Sequence, residues 1–445
     1  MKKTTMLAVL APLVSAAALV PLSPSQDATV PLLSKGQKEY LSMPRKERVK
    51  YFASKEKRLE MVSYGYYPEP VTFAWAGGAP GAEYVLSVKR LPDGKTAFEG
   101  RFSESAAKVY NLEIARQYEW TVSGGGETAT GRFSTEDVAP RLLRVPGVPN
   151  VRDLGGRKGL GGRRVRQGMV YRSAGLNDNA TTQRVPRGNL AKAGILPESA
   201  AEEKARIEKH IARYKAYQAD PKTFPRSHAG WREWSRRHRS ATVADYFKYR
   251  IAADKEELAK LEKGVKVRIP GPNRLDGPTR DYLVNTLGIK TDIDLRSDGE
   301  CYGMAGSPLG PSVQWMHYSS SQYDGMQTKH GKDAFRKVFK VFLDEKNYPI
   351  DFHCIAGQDR TGAVAFILNG LLGVDEDQLY LDWEATGFWN KSTSLRHATR
   401  FDKLVSGFEK RVPGADIREK TENYVLSLGF TKDDIEKFRS IMLEP

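Results

Sequence analysis

The stretch Tyr348-Pro-Ile-Asp-Phe-His-Cys354 sets the tightest limit on how this chain folds. It is a short apolar strand that stops at a thiol. Ile355-Ala356-Gly357-Gln358-Asp359-Arg360-Thr361-Gly362 follows, and then an apolar helix over Ala363 to Leu372. A strand, a tight loop that opens with Cys and closes with Arg, and a helix together form an arrangement for binding phosphate. The loop amides and the helix N-terminus converge on one point, where an anion is favoured. The same field acts on the thiol. A free cysteine has a pKa of about 8.5, and a helix N-terminus with a neighbouring Arg lowers it by several units. Cys354 is therefore expected to be a thiolate at neutral pH, able to attack phosphorus. Arg360 offers a planar fork of donors for two phosphoryl oxygens. Thr361 can donate its hydroxyl to the sulfur as it leaves, and Ile355, Ala356, Gly357 and Gln358 are the expected substrate-binding loop. The Cys-to-Arg spacing alone is common; its combination with the strand, Gly357 and Arg-Thr-Gly is what carries weight.

The rest of the chain sets the frame. Its 445 residues are too many for one core, so two or three domains are expected. A content of 40% hydrophobic and 28% charged residues excludes a mostly disordered chain. Lys and Arg outnumber Asp and Glu by 70 to 54, a net charge of +16 that points to an anionic partner. The only cysteines are Cys301 and Cys354, which excludes a disulfide scaffold and a zinc site built on several thiolates. A bridge between the two is the rival to a reactive Cys354. No metal or other cofactor is signalled.

Met1-Lys-Lys, an apolar run from Met6 to Leu22 and the Ala16-Ala17-Ala18 cluster read as a secretory signal peptide over 1–22. A membrane anchor needs about 20 unbroken apolar residues, and Pro12 and Ser15 interrupt this run. Export to the periplasm or beyond is the expectation, with no membrane span in the mature chain. Residues 23–60 read as a charged helical lead-in with Tyr40, Leu41, Val49 and Phe52 at helical spacing. Over 61–139 the period becomes two, in Val71–Trp75, Tyr84–Val88, Val109–Leu112, Tyr118–Val122 and Thr128–Phe133, with glycine-rich punctuation. This predicts a small all-β sandwich suited to docking a protein or glycan. Residues 184–274 are basic, with helical stripes at Ile207, Ile211, Tyr214 and at Val243, Phe247, Ile251, Leu258, Leu261. Between them lies Trp231-Arg-Glu-Trp234-Ser-Arg-Arg-His-Arg239. Stacking of such residues on nucleic-acid bases is the sharper reading; a helical insertion with a solvated basic face is preferred.

His353-Cys-Ile-Ala-Gly-Gln-Asp-Arg-Thr-Gly362 resembles the loop of the cysteine-dependent tyrosine phosphatases, in their bacterial branch with His-Cys-x-x-Gly-x-Asp-Arg-Thr-Gly. Asn150-Val-Arg-Asp, Tyr171-Arg-Ser and Asp294-Leu-Arg-Ser with Glu300 are similar to that branch's other motifs. The strands of 61–139 resemble a fibronectin type III module by pattern only. The resemblance implies an α/β fold over 140–445, a phosphatase sheet with flanking helices and a helical insertion, preceded by the β-sandwich. It implies hydrolysis of phosphate monoesters, phosphotyrosine in proteins above all, through a phosphocysteine. Inositol polyphosphates or phosphoinositides are the alternative substrates, and a non-catalytic binding protein is the second alternative. Phosphoinositide-active relatives tend to carry Lys where this chain has Gln358, which weakens that alternative. Asp153, Arg172, Arg296 and Glu300 are expected to brace loops by ion pairs. A proton donor is also required, and an aspartate suits it. Asp359 inside the loop and Asp324 after a strand-like segment are both candidates; Asp324 also reads as a turn residue before Gly325.

Overall fold

A computed structural model describes residues 17–78, 81–185, 198–225, 227–261 and 264–445. The chain divides into two units. One comprises the chain up to Asp178 with Asn273–Asp298 and Ala305–Pro445; the other comprises Asn179–Pro272 with Gly299–Met304.

The first unit begins with eight strands: β1 (Ala17–Ser23), β2 (Ala28–Val30), β3 (Val71–Gly78), β4 (Tyr84–Leu91), β5 (Thr96–Phe102), β6 (Ala106–Val109), β7 (Gln117–Gly124) and β8 (Glu127–Thr135). They form a three-stranded sheet, β1-β3-β6, and a five-stranded sheet, β2-β8-β7-β4-β5. Alternation places Leu86 and Val88 of β4 and Trp120 and Val122 of β7 in one apolar cluster with Phe73 and Trp75 of β3. Phe73 meets Trp120 edge-on at 5.3 Å between ring centroids.

Several expectations change here. The strand expected over Val109–Leu112 ends at Val109, because Asn111 has a φ of 68°. β5 had no signal, being an edge strand with mostly exposed residues. Residues 1–16 of the expected signal peptide lie outside the described residues. Residues 17–22 belong to β1, where Pro21 pairs with Trp75 and Leu19 is buried in the cluster. The segment between β2 and β3 is no lead-in. Its helices Lys35–Ser42, Arg45–Arg48, Lys50–Ala53 and Lys55–Ser63 pack Tyr40, Phe52 and Met61 into the core of the α/β part. Phe52 lies 5.6 Å from the Trp383 ring, and buried Arg48 donates to Glu384 at 2.6 Å.

After β9 (Arg152–Asp153) and β10 (Val170–Ser173) the chain enters the second unit. There β11 (Thr181–Val185) pairs antiparallel with β12 (Val265–Ile269). The helices Glu198–Ala219 and Val243–Lys260 bring Ile207, Ile211 and Tyr214 together with Tyr246, Phe247 and Ile251. The expected limits, 184–274, shift because β11 begins at Thr181 and the Ala180 amide donates to the Glu300 carbonyl at 2.9 Å. Trp234, half-buried, stacks on His238 at 4.3 Å and on Tyr249 at 5.6 Å within the unit.

Back in the first unit, β13 (Thr291–Asp294), β14 (Gln314–His317) and β15 (Ile350–His353) complete a sheet of order β14-β13-β15-β10-β9. It is parallel except for β9. Every residue of β10, β13 and β15 is buried, as in a sheet covered on both faces. Behind β15 the helix Asp359–Leu371 is buried from Arg360 onward, and the helix Lys329–Phe342 packs Phe335, Val338, Phe339 and Phe342 into the same core. Among the described residues no helix is long and apolar enough to cross a membrane.

Candidate active site

β15 lies between β10 and β13 in parallel register, with His353 level with Ser173 and Asp294. The strand therefore delivers Cys354 to the carboxyl edge of the sheet, where α/β folds place their sites. The chain then turns sharply. Gly357 has a φ of 63°, and a Cβ there would lie 2.2 Å from the Ser173 carbonyl oxygen, so only glycine fits. Three successive carbonyls are tied outward. Ile355 accepts from the Gly175 amide at 3.0 Å, Ala356 from Asn150 Nδ2 at 2.8 Å, and Gly357 from Arg172 Nη2 at 2.7 Å. In a trans peptide the C=O and N–H point opposite ways. The amides of Ala356, Gly357 and Gln358 are thus turned to the other side of the loop, three donors set for an anion.

The second and third ties converge on one carboxylate. Asp382, buried in the helix Glu376–Glu384, pairs with Arg152 at 3.3 Å, Arg157 at 3.3 Å and Arg172. Arg152 in turn donates to Asn150 Oδ1 at 2.5 Å. Burial opposes ionisation of Asp382, yet Arg172, Arg152 and Arg157 hold it far below the usual carboxylate range. Nothing in the sequence linked Asp382 to the loop, because it lies two dozen residues downstream in a separate helix.

Burial alone would push the Cys354 thiol up, but the Arg360 guanidinium and the hydroxyl and amide of Thr361 outweigh it, and the pKa falls below its ordinary value. The sulfur is a buried nucleophile biased towards the thiolate. Beneath it, His353 Nε2 lies 3.0 Å from Asp292 and Nδ1 donates to the Cys354 carbonyl at 3.2 Å. Burial would lower its pKa; the carboxylates of Asp294 and Asp292 push it up to about 10. Cys301 lies in the second unit.

Cys354, Gly357, Asp359, Arg360 and Thr361 come together on this loop; Ile355 is its exposed side chain, at 44%. Gln358 is turned inward, where its Oε1 accepts from Asn390 and Thr393, each at 3.1 Å. Asp324 has a different place from Asp359, outside the loop sequence. It is exposed on the turn Tyr323–Gln327, and the residue of that turn that reaches the loop is Tyr323, whose hydroxyl donates to Asp359 Oδ1. Sequence reasoning missed Tyr323: Tyr-Asp-Gly reads as a turn whose acid is the functional residue. Asp153 pairs with Arg141 at 2.8 Å and Arg296 with Asp294 at 2.7 Å, while Glu300 belongs to the second unit.

The sequence profile of the family described as "Tyrosine phosphatase family" matches residues 143–192 and 245–444, more than half of the chain. A tyrosine-protein phosphatase of Nostoc commune is 30% identical over 136 residues, which are 25% of this chain and 45% of that protein. The match thus spans less than half of that relative's length. The core catalytic domain of the PP-IP phosphatase SIW14 from S. cerevisiae is similar at 14% identity, over 31% of this chain and 80% of that one. Its TM-score is 0.22, too low to support an argument.

Proposed function

Because the chain belongs to the tyrosine phosphatase family, we propose that it hydrolyses phosphate monoesters, protein phosphotyrosine first among them, through a phosphocysteine. The observation that carries this reading is the lowered Cys354 thiol in a loop whose three outward-tied carbonyls turn successive amides to the anion side. The Cys354 thiolate attacks phosphorus, the bond to the phenolic oxygen breaks, and Asp359 gives that oxygen its proton. Arg360 and the loop amides hold the other oxygens. A water then attacks phosphorus and loses its proton to Asp359; the S–P bond breaks, and the Thr361 hydroxyl supports the departing thiolate. The contact of Asp359 with Tyr323, set against the exposure of Asp324, favours Asp359 as the acid.

The leading strands fit a fibronectin type III-like docking module for a protein or glycan. The Tyr118 hydroxyl accepts from the Glu113 amide at 2.9 Å, the kind of corner such sandwiches use. We read the chain as exported to the periplasm or beyond, which immunodetection in those fractions tests. The inward-turned Gln358 puts no cation on the loop at that position, which favours phosphotyrosine over inositol polyphosphates. The test is phosphate release from a phosphotyrosine peptide, a phosphoserine peptide, phosphoinositides and phytate, with Cys354→Ser as control. Turnover on phosphotyrosine that vanishes in the variant is expected. Faster release from phytate would replace the substrate class, and binding without turnover would remove the enzyme reading.

A further inference from the structure

Tyr323 combines three features that are rarely found together. It is a bulky residue with a φ of 50°, its side chain is wholly buried, and its hydroxyl donates to Asp359. A left-handed backbone is strained for such a residue and persists only where the surroundings impose it. They do so here. The Arg400 guanidinium lies 4.7 Å over the Tyr323 ring, and Arg400 Nη2 donates to Gln322 Oε1 at 3.0 Å. Tyr424 donates to the Met326 carbonyl at 2.7 Å at the far end of the turn. The left-handed residue swings the ring inward and leaves Asp324 in solvent.

We propose that Tyr323 is a positioning residue for the proton donor, holding Asp359 by Oδ1 so that Oδ2 carries the proton to the leaving oxygen. This rests on Asp359 being the acid. As the P–O bond breaks, the proton passes from Oδ2 to the leaving oxygen, and Asp359 goes from neutral carboxyl to carboxylate. The hydrogen bond from Tyr323 then becomes charge-assisted and strengthens in the transition state. Burial pushes the Tyr323 hydroxyl above its ordinary pKa, so it stays a donor throughout.

The test compares kcat/KM, which reports the first chemical step, on two substrates. A phosphotyrosine peptide expels a phenol of pKa about 10 and needs the proton; p-nitrophenyl phosphate expels a stabilised phenolate and does not. Asp359→Asn should lose about 100-fold on phosphotyrosine and little on p-nitrophenyl phosphate. Tyr323→Phe, which keeps the ring under Arg400, should lose about 10-fold on phosphotyrosine and less than about 2-fold on the other. The double variant should be no worse than Asp359→Asn, because Tyr323 acts only through that carboxyl. Equal losses of Tyr323→Phe on both substrates would show a structural role and overturn the proposal. A further tenfold loss in the double variant would do the same. If Asp359→Asn leaves phosphotyrosine turnover intact, Asp359 is not the acid; that single variant identifies this failure separately, and the proposal falls with it.

Discussion

Gly357 has no side chain because the Ser173 carbonyl occupies the space, and its φ is one that other residues adopt only under strain. Gly357→Ala should therefore shift the loop and break the tie from Arg172, lowering kcat/KM by at least about 100-fold, with about 1–3 kcal/mol of lost stability. Kinetics with a thermal melt separates the two effects; an alanine variant with full activity would contradict the account. Gly357 was legible because a loop between a strand and a helix is local: the residues that define it are consecutive. Tyr323 was not legible. Which residue of a turn faces inward depends on the sign of one φ, and the ring of Tyr323 rests under Arg400, nearly eighty residues away.

The four helices between Lys35 and Ser63 show the same limit at the level of elements. Their spacing at Tyr40, Leu41 and Phe52 announced helices with an apolar face, but not that the face closes the phosphatase core. Phe52 is 1% exposed against Trp383, whose indole meets Gly362 in the loop helix: a Cβ on Gly362 would lie 2.8 Å from it. Phe52→Ala should cost about 3–5 kcal/mol in urea unfolding, while the folded fraction keeps its kcat/KM. A loss under about 1 kcal/mol would mean that the segment is the charged helical lead-in expected from the sequence and no part of the core. The strands were legible wherever they alternate, as in β4 and β7, and illegible where they lie at an edge, as in β5.

The whole molecule should lose stability in alkali. His353 has a pKa of about 10 against an ordinary 6.5, so it binds a proton in the folded chain that the unfolded chain has released. Its contribution is complete below pH 6.5 and fades as the pH rises through 10. Asp351, raised to about 7 by burial first of all, slopes the same way at lower pH. The lowered Cys354 works in the opposite sense, so the measurement belongs in the Cys354→Ser background. There the Tm should fall steadily between pH 6.5 and 10; a flat profile would count against the buried imidazolium.

The pairing of the first helices with the distant helix Glu376–Glu384 also bears on how the protein is made. Tyr40 and Arg48 reach Glu384 across separations of 344 and 336 residues. At translation rates of about 5–20 residues per second, the helices leave the ribosome roughly 20 to 70 seconds before their partner is synthesised. Until then Tyr40, Phe52 and Met61 lack Glu384, Trp383 and Gly387, which they meet in the fold. The nascent chain thus carries an incompletely matched apolar face through that interval, a handle for whatever holds it unfolded in the meantime.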